Sequence, residues 1–529
     1  MNRLSTDPPP RAANGWTIER IVGPSPLFGA NGMKVGADGR LAVAQAFGSQ
    51  VSMVDVESGA CEALVPRGGV VVAPDDVAFD TRGALYITEV MSERVSVRLP
   101  NGETRIVAAD LPVANGITSH GDRIFMDEFR PGGRVIELYA DGRAPRIIAR
   151  DLQFPNALSM GPDDHLYFPC VVDGEVWRVR ASGGTAERFL AGLDHPTAVK
   201  FDREGRLHTV QAGNGEIARF DLASRAKTRL AVVRRGIDNF AFSPQGRMFV
   251  SHFVDGGISE IEAKGTERAI VAPGFVGPFD VAVASDGRVF VADGLSLAEI
   301  RGDGSCVRRG QLLEAGWPGF VRGVAVASSG EVFVTNSAGD LVRFLPGDRE
   351  IRAQGLGDSH GIAIAKDGSA LVVDADGGRI LRVDAAGDVT VVARGLARPL
   401  DVALGDDGTI FASEAAKGRV VRVDSTIDVV IEGLREPHGI AVYGSAVYAL
   451  DRAAKTIVGR DAGWGRTETI AEGLPVGEAP GIVPKSLPGI AGLLPGPIGS
   501  FAGLAAGPDG ALYVSADGEG SVLKVVRTR

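Results

Sequence analysis

The chain is short of cysteine, of basic runs and of long apolar runs, and each shortage removes a class of protein. Three cysteines occur among 529 residues, Cys61, Cys170 and Cys306. They are odd in number, scattered and without CxxC spacing, which argues against a disulfide framework or a thiolate zinc site and fits a reducing compartment. Lysine and arginine total 56 against 66 acidic residues, a formal net charge of −10. With no basic cluster to track phosphates, nucleic acid is not an expected partner. No run of about 18 apolar residues is present, so no membrane span is expected. The first ten residues lack the apolar core of a signal peptide, and cytoplasmic localisation is the expectation. Sustained helical periodicity with caps is also missing.

What the chain has in excess is glycine, 72 residues, with no collagen-like or low-complexity period. The glycines fall in turns between short β-branched runs. A unit reading Gly-hydrophobic-Ala-hydrophobic, then Asp-Gly, then a β-branched run recurs twelve times. Its first-strand anchors are Asn31, Asp75, Asn115, Asn156, Thr197, Asp238, Phe279, Arg322, His360, Leu400, His438 and Ala502. Spacings run from 38 to 44 residues, except for 64 before Ala502. Four strands per unit of roughly 40 residues is the signature of a β-propeller blade.

Twelve blades exceed the usual four to eight or so per ring, so two tandem six-bladed propellers are expected, with a single twelve-bladed ring as the competing topology. Residues 16–22 read as an outer strand that precedes the first unit, while the last unit stops after its third strand. If each ring is closed by an N-terminal outer strand, residues 16–22 close the sixth blade and 266–271 open the second ring. The expected domains are then 16–264 and 265–529, with a Gly/Pro-rich apolar insertion at about 475–498 in the second. That insertion reads as a lid or as packing between rings or subunits.

A propeller brings the same position of every blade to one channel, so the anchors describe its lining. The first six all carry side-chain oxygen; the last six are mixed. Several desolvated carboxylates together either take up protons or bind a cation. Asp75, Asn115, Asn156 and Asp238 therefore form a candidate set for a hard divalent ion, calcium foremost and magnesium second. The alternative is that such side chains bond nearby backbone. At the ends of the second strands, Glu89, Glu128 and His252 are candidate general bases facing the metal.

Val113-Ala114-Asn115-Gly116-Ile117, Phe154-Pro155-Asn156-Ala157-Leu158 and Gly236-Ile237-Asp238-Asn239-Phe240 resemble metal-binding segments of the gluconolactonase, senescence marker protein and paraoxonase superfamily. The resemblance covers the first half and implies a calcium-dependent hydrolase of lactones or esters acting on a small molecule. The family's first-blade glutamate has no counterpart here; Asn31 or Asp75 stands in its place.

In the second half Arg322, His360, Glu414 and His438 form a separate constellation, able in principle to transfer protons or hold a metal. It is similar to the pocket of virginiamycin B lyase-type propellers, while the bare repeat resembles NHL-type binding propellers. A lyase in the second ring and a non-enzymatic scaffold therefore stand as alternatives to the hydrolase. Asp293, Asp374, Glu414 and Asp451, which close most second strands there, are expected to bond the adjacent loop.

Overall fold

The computed structural model describes residue 3, residues 9–345, 347–461 and 465–528; most of the N-terminal stretch read for a leader lies outside them. The fold is all-β. Twelve antiparallel sheets of four strands or more follow the twelve repeats, in chain order from the channel outward except that N-terminal strands form the outer edge of the last two. Two further strands, Leu487–Ile490 and Leu494–Ile498, lie in the insertion. No helix among the described residues is long and apolar enough to cross a membrane.

Local chemistry sets each blade. In the second repeat, the strands Pro74–Phe79 and Leu85–Glu89 are joined by a tight turn. There the Asp80 carboxylate accepts from the Arg82 and Ala84 N–H groups at 2.9 and 2.8 Å. Gly83 takes the left-handed φ of +82° that this turn requires.

Two compact units divide the chain. One holds Ser25–Gly274 together with Ile482–Ile490; the other holds Phe275–Gly481 and Ala491 onward, together with the N-terminal stretch ending at Pro24. Six blades fall in each, and each ring closes on itself. In the first, the Ser251 hydroxyl of the sixth blade donates to the Asn31 carbonyl of the first at 2.7 Å. A core of Leu41, Val43 and Val54 with Phe249 and Ile258 fills the same junction. In the second, Ser515 of the last blade donates to the Phe279 carbonyl at 2.8 Å. Val281, Val289 and Val291 pack there with Tyr513 and Val522.

The hydroxyl bridge recurs elsewhere: Thr88 donates to the Asn115 carbonyl and Thr335 to the His360 carbonyl. Close approach between blades also demands glycine. A Cβ on Gly32 would lie 2.1 Å from the Asp76 carboxylate, and one on Gly503 would lie 1.9 Å from that of Asp280.

Strand exchange differs from the expectation. Trp16–Val22 pairs with Ser521–Arg527 and completes the twelfth blade, not the sixth. The sixth blade keeps its own outer strand, Glu267–Val271, paired with Ile258–Ile261. Closure by an N-terminal outer strand thus holds for the second ring alone. The chain starts in that ring, builds the first ring whole, and returns. Edge completion satisfies both arrangements equally at the level of pattern; only the register of residues 16–22 against 521–527 decides.

Candidate functional site

In the first channel the inner strands bring Asp75 and Asp238 close enough to repel each other. Burial, followed by the charges of Asp238 and Asp76, pushes the Asp75 carboxyl well above its ordinary range. Burial and Asp76 push Asp238 up to about 8, against an opposing pull from Lys200. Both side chains are surrounded by protein yet keep some surface open to the channel. The Asn31 amide reaches the Asp75 carboxylate at 3.5 Å.

Two lysines share this channel. Lys34 and Lys200 sit three residues after the anchors of the first and fifth blades. The Lys200 ammonium donates to the Met33 carbonyl at 3.3 Å. That bond joins non-adjacent blades, so the side chain reaches across the channel. Burial pulls Lys200 down to about 8 and also lowers Lys34, while Asp76 opposes both shifts. Asp76 is itself raised by burial, and it accepts from the Val77 and Ile117 N–H groups. Asp127 is raised well above its range by burial and takes the Gly116 N–H at 2.9 Å.

The remaining anchors partly serve the backbone. Asn156 Oδ1 accepts from Ala157 N–H at 2.8 Å, and Thr197 donates to the Ile237 carbonyl at 3.1 Å. Asn156, one of the four expected metal ligands, therefore has its oxygen engaged. Among the described residues, no group of three or more His, Cys, Asp or Glu side chains is arranged to hold a metal. Any cation here rests on Asp75 and Asp238 with amide oxygen such as that of Asn115.

The expected bases are placed elsewhere. Glu89 accepts from the Val72 N–H at 2.7 Å, from Arg94 at 2.9 Å and from Ser96. Glu128, fully buried, is held by Arg130 and Arg134. Their oxygens are taken by loop and cross-strand donors, so neither is positioned to activate water in the channel. His252 is also fully buried at the end of its strand, with Nε2 3.9 Å from Glu267. Glu414 repeats the Glu89 pattern, accepting from Ala397 N–H at 2.7 Å and from Arg419. Asp293, Asp374 and Asp451 likewise bond the loops that lead into their blades. The signal was in the sequence: Glu89–Arg94, Asp374–Arg379 and Glu414–Arg419 are each five apart, which places them directly opposite across a hairpin.

The second channel gathers Arg322, His360 and His438 but not Glu414. Arg322 is buried and donates through Nη1 to Asp358 at 2.6 Å and to the Ser359 carbonyl at 3.1 Å. His360 Nε2 lies 3.4 Å from the same nitrogen and 3.4 Å from Asp358. Burial lowers the pKa of both histidines, against the pull of Asp358 on His360 and of Glu436 on His438. Burial would raise Asp358, but His360 and Arg322 hold it well below the usual carboxylate range. The insertion lies over this cluster. Arg322 Nη2 donates to the Pro497 carbonyl and Ser337 to the Pro495 carbonyl. Phe501 stacks on His438 with ring centroids 5.5 Å apart and an interplanar angle of 26°.

No family model matches the chain. A curated relative, strictosidine synthase-like 6 from Arabidopsis thaliana, is 24% identical over 174 residues, covering 28% of this chain and 46% of that protein. The match thus spans under half of that relative's length. Among solved structures, virginiamycin B lyase from Staphylococcus aureus is 17% identical and covers 48% of this chain and 90% of its own, with a TM-score of 0.30. The extracellular domain of a hybrid two-component system protein from B. thetaiotaomicron is 9% identical and covers 97% and 83%, with a TM-score of 0.32. At such identities a likeness speaks to fold alone, and these scores carry no argument about chemistry. None of these named matches is a gluconolactonase-type enzyme.

Proposed function

We propose that the first propeller's channel is a small-molecule site that holds a divalent cation, calcium foremost, and hydrolyses a lactone or related ester. The observation that carries this reading is the charge balance in the channel. Four carboxyl groups (Asp75, Asp76, Asp127 and Asp238) face two ammonium groups (Lys34 and Lys200), leaving a formal deficit of two positive charges when all are ionised. A divalent ion on Asp75 and Asp238 would offset the cost of burying their charges and the repulsion from neighbouring carboxylates that adds to it. Bound there, it would supply Lewis-acid polarisation of a carbonyl.

The chain's own residues supply the rest. Asp76 and Asp127 are bonded to backbone N–H groups and hold the strands that aim the anchors. Lys200, crossing the channel beside Asp238, is placed to donate to an oxygen that gains negative charge during acyl transfer. Titrating calcium into the protein at pH 8 by calorimetry is the direct test. Saturable binding that Asp238→Asn abolishes supports the site, and its loss together with lactone hydrolysis ties the two. The proposal fails if no divalent ion binds, or if Asp238→Asn binds it as tightly.

A further inference from the structure

We propose that the second propeller contains a ligand site occupied by its own residues 497–501, which lead from the insertion into the last blade, and in which Phe501 and the Pro497 carbonyl stand in for the ring and the oxyanion of a small aromatic carboxylate. The geometry defines the ligand feature by feature. Arg322 uses Nη1 for Asp358 and Ser359, and Nη2 meets only the Pro497 carbonyl. Its Nε carries no hydrogen bond although it is buried. The Nε–Nη2 edge of a guanidinium is a ready fork for a carboxylate, and a single backbone carbonyl fills half of it.

Two buried imidazoles belong to the same cluster, His360 beside the Nη1 of Arg322. His438, 2% exposed, leaves Nδ1 without a hydrogen bond and has Glu436 3.5 Å from Nε2, and His360, 3% exposed, leaves Nδ1 without a partner. Buried polar atoms left unsatisfied need an explanation, and both imidazoles lie against one aromatic ring. Phe501 is stacked on His438, with its centroid 5.9 Å from His360. The carbonyl reaches the cluster from the end of the insertion, and the ring from the residue just before the last anchor, Ala502. Ser337 to Pro495 and Arg322 to Pro497 are the side-chain hydrogen bonds that hold residues 495–497 to the channel wall. Displacing them opens a slot that is flat on the His438 side and has the Arg322 guanidinium at one end. A flat ring carrying one carboxylate satisfies the whole of the Arg322 fork, which the insertion does not.

Because the insertion competes with the ligand, apparent affinity scales with the fraction of molecules in which it is displaced. Phenylacetate, with phenylacetamide as its neutral counterpart, is the probe, read by calorimetry on the full chain. Ser337→Ala, which removes a tether without touching the slot, is expected to tighten phenylacetate binding severalfold over the unsubstituted protein. Phe501→Ala is expected to bind it more tightly still. Phenylacetamide should bind neither variant, and adding Arg322→Gln to Ser337→Ala should abolish binding. The proposal is overturned if Ser337→Ala binds no phenylacetate at about 10 mM, if the amide binds as well as the acid, or if binding survives Arg322→Gln. Should Phe501→Ala fail to fold, Ser337→Ala decides alone.

Discussion

Deleting residues 1–22 should unfold the second propeller and leave the first intact. Trp16–Val22 is the outer strand of the twelfth blade, in register with Ser521–Arg527 through six residue pairs. An antiparallel ladder carries about one hydrogen bond per pair, and each is worth about 1 kcal/mol net, so the ladder contributes about 6 kcal/mol. Trp16 and Ile18 are partly buried against the core around Tyr448 and Leu523; half-burial of two large side chains adds about 2 kcal/mol. The total of about 8 kcal/mol falls within the 5–15 kcal/mol or so that holds a typical domain together. Deletion also exposes Ser521–Arg527 as an unpaired edge, which invites association. Hydrogen exchange followed peptide by peptide is the assay. Amides in residues 280–527 should lose protection, while those in 33–271 keep theirs. If instead residues 33–65 and 237–271 open and the second ring stays protected, the strand belongs with the first ring and the topology argued above is wrong.

The first unit should lose stability as pH rises from about 4 to about 8. Asp238 titrates near 8 when folded and near 3.9 when unfolded. The folded state therefore binds the extra proton in this window, and stability falls as pH climbs through it. Asp238→Asn should flatten the slope of unit-specific unfolding midpoints against pH; an unchanged slope would exclude Asp238 as its source. Calcium should stabilise this unit more at pH 8 than at pH 5, because protons and the ion compete for the same carboxylates. Glu128→Gln should leave calcium binding intact and cost about 1–3 kcal/mol. A buried charge pair is broken, but Arg130 and Arg134 keep access to water; loss of the ion in this variant would restore Glu128 to the site. Ser515→Ala removes the hydroxyl that accepts from the Gly503 N–H and donates to the Phe279 carbonyl at the closing junction of the second ring, while those two groups stay bonded to each other at 3.0 Å. It should lower that unit's stability by about 1 kcal/mol in denaturant titration, with the first unit unmoved.

Much of the site could be read before any coordinates. The anchors are channel residues because an inner strand repeats its position in every blade, and their oxygen-rich first half is where carboxylates repel. Lys34 and Lys200 were missed, although both stand at the same offset from their anchors, where other blades carry small or apolar residues such as Ala78 and Ala241. The bases were misplaced because a glutamate at a strand end looks the same whether it faces the channel or the next hairpin strand. Arg94, Arg134 and Arg419 settle that locally, through pairing. Asp358 and Glu436 were passed over because loop carboxylates are common, although each stands two residues before its histidine and lies 3.4 and 3.5 Å from it.

The sequence by itself determined the all-β class, the blade count and the positions that line each channel, because a strand period of two and a repeat near 40 residues are properties of the chain alone. Tertiary structure decided which blade the N-terminal strand completes, how the channel carboxylates are balanced by lysines, and that the end of the insertion bonds Arg322 and Ser337. Those are pairings between residues tens to hundreds of positions apart. Their energies depend on distance and burial in three dimensions, which no local pattern encodes.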